Sequence, residues 1–141
     1  LIYYNSDSSP AIKKGSRGKR MFLGGFVNMH AVAKKLVKLD DDIAIVCSGT
    51  NGNFSLEDGL AAGGIIKEIR LLKKRPDLSE YAFVMDKMYA AYHSKLLSAL
   101  KKSVTYEKLI SLGCENDIEY ALTLNQFDIV PTYYDNWVTV K

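Results

Sequence analysis

The chain has 141 residues, 48% of them hydrophobic and 25% charged, a balance that suits one packed domain and excludes a disordered chain. A net charge of +3 suits a small anionic substrate and gives no ground for a nucleic-acid partner. Cys47 and Cys114 form no metal or redox pair, no apolar run reaches membrane length and no signal peptide is visible, so a reduced, cytoplasmic protein without a membrane partner is expected.

Residues 1–4 read as a strand already under way, and the chain has no initiator Met. A fragment of a longer protein, or a processed product, is therefore expected. Residues 5–10 carry polar turn chemistry. Residues 13–20 are a basic, mobile loop, solvated or steering an anion; no aromatic residue interleaves it as nucleic-acid binding would require. Residues 21–23 form a short strand. Asn28 is placed to cap a helix over residues 29–37.

Three aspartates, 40–42, then turn the chain into an apolar strand over residues 43–47. A loop of small residues, 48–53, carries two glycines and leads into a helix running to about residue 75, before Pro76. Ser55 with Asp58 three residues on is a capping-box pattern. Strand, small-residue loop and helix start place backbone N–H groups and a positive dipole end at one mouth, where an anion can sit. Glu57 and Asp58 in the first turn are candidates for a divalent metal such as Mg²⁺. They point about a quarter turn apart, so one of them faces the site. A plain turn with a capped helix, its carboxylates merely favouring the dipole, remains the alternative.

Known phosphate motifs do not fit this loop. The Lys of a Walker A loop and the Gly-x-Gly-x-x-Gly fingerprint are absent, and Asn53 stands where a cysteine phosphatase needs its Arg. Cys47 is accordingly a poor nucleophile. The small helix start, Gly59, Ala61, Ala62, Gly63 and Gly64, points to close approach by another backbone or a ligand, packing being the simpler cause.

A long helix is expected over residues 79–102, with Tyr81, Val84, Met85, Met88, Tyr92, Leu96 and Leu100 on its apolar face. Short helices follow over residues 105–112, stopped by Gly113, and 115–124. Residues 127–134 read as a strand, paired with 137–140 across an Asp135-Asn136 turn. His30 and His93 have no metal-spaced partner and read as structural or exposed; Met85 and Met88 read as core. The class is α/β, a layered sheet with helices and the ligand site at the carboxyl ends of strands.

The run Cys47-Ser-Gly-Thr-Asn-Gly-Asn-Phe-Ser-Leu-Glu-Asp58, with the small helix start after it, resembles the central signature of the 2-phosphosulfolactate phosphatase family. The block from Gly24 to Ala33, Asp117-Ile118 and the run from Phe127 to Pro131 are similar to further blocks of that family, in order along most of the chain. The resemblance implies a Mg²⁺-dependent hydrolase that releases phosphate from (2R)-2-phospho-3-sulfolactate, a step of coenzyme M biosynthesis, or from a related small phosphate ester. It makes residues 1–141 the C-terminal part of such a protein.

On that basis the N–H groups of Gly49, Thr50, Asn51 and Gly52 are expected to hold phosphate or sulfonate, with Asn28 and Ser55 as further substrate-binding candidates. Glu57 or Asp58 is expected to hold Mg²⁺. No catalytic acid or base is assigned, and a homo-oligomer is compatible with the reading. Three departures stand out. An N-terminal Asp-Val-x-Arg-Ala motif is not found, Pro10 replaces an Arg in the run from Asp7 to Ala11, and Ala61 replaces a common Cys. Loss of a bidentate Arg favours a second expectation, a non-catalytic anion-binding or assembly domain.

Overall fold

The computed structural model describes residues 7–73 and 75–140. Helix α1 (Ser8–Gly15) comes first, so the expected turn gives way to a helix within three residues and the basic stretch is half helical. Its remainder is tethered rather than loose, because Lys19 and Arg20 both pair with Asp41, at 3.3 and 2.9 Å. The strand expected over residues 1–4 lies outside the described residues.

Strand β1 (Met21–Phe22) leads through a 3₁₀ turn (Phe26–Asn28) to α2 (Met29–Leu39). Asn28 occupies the cap position of α2 but makes no side-chain cap bond. A residue far along the chain supplies it instead: the side-chain oxygen of Asn125 accepts from the His30 N–H at 2.7 Å. His30 itself pairs with Glu68 at 2.8 Å, tying α2 to α3 (Leu56–Leu72).

Close packing of α2, α3 and α4 (Glu80–Tyr92) forms the core, with Met29, Val32, Ala33, Leu60, Ile65, Ile69 and Tyr89 buried together. The glycines of α3 make this approach possible. A Cβ on Gly63 would run into the backbone carbonyl of Met85, and one on Gly59 would come within 2.7 Å of the Met88 methyl. Helix packing therefore accounts for the small helix start.

The long helix expected over residues 79–102 is broken. α4 ends at Tyr92, and α5 (Leu96–Leu100) starts afresh after a non-helical Lys95. His93 and Ser94 are weak helix formers, and the break lets Leu96, Ala99 and Leu100 turn back into the core. The stripe is also rotated from its expected position. Tyr89 and Asp86 are buried, whereas Tyr81 and Val84 are exposed, because the face that meets the α3 glycines is the one that packs. Asp86 stays buried by pairing with Arg70 of α3.

α6 (Val104–Ser111) is capped by Ser103 and stopped at Gly113, whose φ of +70° suits glycine; α7 (Glu115–Ala121) follows. Strands β2 (Thr132–Tyr134) and β3 (Trp137–Thr139) form a hairpin across Asp135-Asn136, both at positive φ. The fold is thus α/β, but its sheet is a three-stranded antiparallel one, β1-β2-β3. Residues 127–131 pair only loosely, through bonds such as the Phe127 N–H to the Val27 carbonyl at 2.9 Å.

The apolar segment 43–47 does not become a strand among the described residues; it runs exposed and without a ladder partner there. A strand exists only through its neighbours' hydrogen bonds, and apolar sequence cannot supply them. Among the described residues no helix is long and apolar enough to cross a membrane.

Candidate functional site

The loop after residue 47 is a tight β-turn. Asn51 and Gly52 have φ of +52° and +76°, the signature of a type I′ turn that Asn-Gly favours. Thr50 and Asn53 close it with reciprocal N–H to carbonyl bonds of 3.1 and 3.0 Å. Gly49, at φ +75°, admits no side chain, since a Cβ would lie 2.5 Å from the Asn53 carbonyl oxygen.

Asp58 holds this turn against α3. Its Oδ2 accepts from the Ser48 hydroxyl at 3.0 Å and from the Gly49 N–H at 2.8 Å. The expected capping box is therefore half made. Ser55 Oγ accepts from the Asp58 N–H at 3.2 Å, but the Asp58 carboxylate reaches forward to the loop rather than back to the cap. On the far side, the Asn51 N–H donates to Oδ1 of Asp7 at 3.1 Å, so the start of α1 meets the turn.

These bonds revise the expected oxyanion nest. The N–H groups of Gly49, Thr50 and Asn51 already serve Asp58, Asn53 and Asp7. Two carboxylates of the chain itself occupy the place expected for an external anion, because intramolecular acceptors are always at hand. The turn is not smothered, however: residues 51–53 are exposed.

Glu57 and Asp58 diverge, as a quarter-turn offset requires. Oε1 of Glu57 accepts from Ser103 Oγ at 2.7 Å and Oε2 from Ser55 Oγ at 2.9 Å. Each of those hydroxyls also caps a helix, α6 and α3 respectively. Burial pushes the Glu57 carboxyl up, but bonds from Ser103, its own backbone N–H, Ser55 and Thr105 outweigh that and hold it below its ordinary 4.5. With both oxygens engaged, Glu57 ties two helix caps together and is withdrawn as a metal candidate.

Asn28 and Ser55 are likewise committed. The buried Asn28 accepts from the Gly25 N–H at 2.9 Å and donates to the carbonyls of Leu23 and Ile129 at 3.2 and 3.1 Å, which locks β1 to the C-terminal segment. Ser55 is buried in the cap of α3. Neither is left to face a ligand, because helix ends and crossing segments must satisfy their own polar groups first.

Asp58 and Ser48 line a cleft of about 1030 Å³ between α1, β1, α2, α3 and the 41–48 segment. Ser8, Lys14 and Arg20 contribute polar groups to its wall, and Val32 and Ile65 part of an apolar one. Cys47 lies there too. Although the residue is exposed, desolvation of its sulfur by neighbouring atoms, then the Asp58 carboxylate, raise its thiol above the ordinary 9.0 and disfavour the thiolate. Among the described residues no group of three or more His, Cys, Asp or Glu side chains is placed to hold a metal.

Asp7 and Ser103 escaped the sequence reading. Asp7 had a signal, since it opens the block aligned with a family motif, whereas Ser103 lies 46 positions from its Glu57 partner and nothing local announces that contact.

A family profile described as 2-phosphosulpholactate phosphatase matches residues 1–136. A probable 2-phosphosulfolactate phosphatase of Thermotoga maritima is 40% identical over 141 residues, all of this chain and 60% of the relative. Proteins of the same name from Clostridium beijerinckii and Caldanaerobacter subterraneus are 35% and 34% identical, over 100% and 93% of this chain and 59% and 54% of the relative. The chain thus spans less than two thirds of the length of these relatives.

Proposed function

The chain belongs to the 2-phosphosulpholactate phosphatase family, and from that premise we propose that it serves a Mg²⁺-dependent phosphomonoester hydrolase. The proposed substrate is 2-phospho-3-sulfolactate, a small molecule carrying phosphate, sulfonate and carboxylate groups, cleaved to sulfolactate and phosphate in a coenzyme M-type pathway, or a related small phosphate ester. One observation supports this best: the turn of the family signature, the start of α1 and Asp58 converge beside a cleft walled partly by Lys14 and Arg20.

The residues present fit Mg²⁺ in part. Asp58 uses Oδ2 for the loop, and a carboxylate offers a second oxygen to a hard cation. Asp58 would hold the ion, with substrate phosphate and water completing its shell; Glu57 would not. When bound, the ion neutralises phosphoryl charge and polarises the ester.

The chain's own residues then bind and orient. Lys14 attracts the anionic substrate, more strongly at low salt, while Arg20 shares its charge with Asp41. The Gly52 N–H, the Thr50 hydroxyl and the Asn51 carboxamide are donors of the turn for sulfonate or phosphate. Gly49 and Gly52 give the backbone its left-handed path and keep Cβ atoms out of the way.

The test is phosphate release from 2-phospho-3-sulfolactate with Mg²⁺, alongside calorimetric titration of the substrate. Turnover or millimolar binding that chelator removes and Asp58→Asn weakens at least about tenfold is expected. Binding untouched by both chelator and Asp58→Asn would overturn the reading.

A further inference from the structure

Residues 42–47 are all exposed, among them Ile43 at 41%, Ile45 at 38% and Val46 at 55%. The segment lies outside the helices and strands, carries the β-branched Ile43, Ile45 and Val46 and, among the described residues, has no ladder partner. Edges of this kind are what proteins normally cover or blunt with charge. Here Asp40 pairs with Lys73 and Asp41 with Lys19 and Arg20, which leaves Asp42, at the first position, as the one charged residue of the segment.

Open space adjoins the segment. Besides the cleft beside Asp58, a second cavity of about 790 Å³ is bounded by Ile66 and Ile69 of α3, Tyr81 and Met85 of α4, and Phe54. Ile43, Ala44, Ile45 and Cys47 line both. These shared apolar walls leave room for added polypeptide beside the segment.

The surface area agrees. The chain exposes 10037 Å², whereas a folded monomer of 15.8 kDa is expected to expose about 7,300 Å². The excess, roughly 2,700 Å², exceeds one partner's share of a standard protein interface.

We propose that segment 42–47 is a strand that becomes part of a sheet by pairing with polypeptide of the kind the relatives carry outside the matched region, about two fifths of their length. Its backbone N–H and carbonyl groups supply the ladder. Ile43, Ile45 and Val46 supply the apolar surface that the added strands bury. The proposal does not depend on the phosphatase chemistry, and its test reads binding alone.

The 141-residue chain is mixed with the portion of the Thermotoga maritima relative that lies outside the match. A one-to-one complex by light scattering is expected, with amide exchange at residues 43–47 slowed at least about tenfold. Ile45→Lys and Ala44→Pro, which add a charge and remove a donor on an exposed segment, should each weaken the complex at least about tenfold. Leu112→Lys, on an exposed apolar residue beyond α6, should leave it intact. A complex without protection at 43–47, or one indifferent to both variants, overturns the proposal. So does self-association of the chain through these residues in place of the complex, which would assign the face to a second copy.

Discussion

Helix α3 has two ends of one job. Its first turn, from Ser55 to Asp58, is held by polar bonds to groups brought from elsewhere: Ser48, Gly49 and Ser103. Its next turn and a half, from Gly59 to Gly64, is held by shape alone, with Met29, Met85 and Tyr89 pressed where side chains would otherwise stand. The polar turn can lose one bond and keep its path, because water and the remaining partners share the load. The glycine step has no such reserve, since a backbone carbonyl cannot step aside for a methyl group. Substitutions along this one helix should therefore fail in different ways.

The largest effect is expected at Gly63→Ala, where the new methyl meets the Met85 carbonyl. A loss of about 3 kcal/mol or more is expected by urea unfolding. Gly59→Ala meets side-chain ends instead, of Met88, Phe54 and Met85, and should cost less, about 1–2 kcal/mol. Equal losses at the two sites would break the comparison.

Next comes Asp58→Asn, which weakens two hydrogen bonds to a charged acceptor. A loss of about 1.5–3 kcal/mol is expected, with faster amide exchange at Gly49. A smaller effect, about 1–2 kcal/mol, is expected for Glu57→Gln, which keeps its shape and loses its charge. It carries a pH signature. The folded carboxyl of Glu57 lies below its ordinary 4.5, so its stabilisation is present above that value and fades as pH falls through the lower folded one. Glu57→Gln should flatten this acid limb in unfolding curves; an unchanged limb would detach Glu57 from the two caps.

The smallest effect concerns Cys47. Its raised thiol owes most to burial and less to Asp58. Alkylation by iodoacetamide should be slow at neutral pH and quicken modestly in Asp58→Asn. A large acceleration would mean that the carboxylate, rather than burial, controls the thiol.

Much of this was legible in the chain alone. The Asn51-Gly52 dipeptide specifies a type I′ turn because few other pairs tolerate two positive φ angles. Ser55 and Ser79 announce helix starts by chemistry that acts within three residues, and Gly113 a stop. The family signature is equally local, a continuous run from Cys47 to Asp58.

What tertiary structure decided were the questions of partnership. Sequence offered the amides of residues 49–52 to an anion; folding gave two of them to Asp7 and Asp58, one of these 44 positions away. It offered Glu57 and Asp58 equally to a metal; folding sent one to Ser103 and left the other at the cleft. Residues 43–47 have the composition of a strand, yet a strand is a relation between segments and no single run of residues contains it. Local geometry is fixed by torsions and caps within a few residues, while the use of each polar group depends on which distant acceptor arrives first and closest.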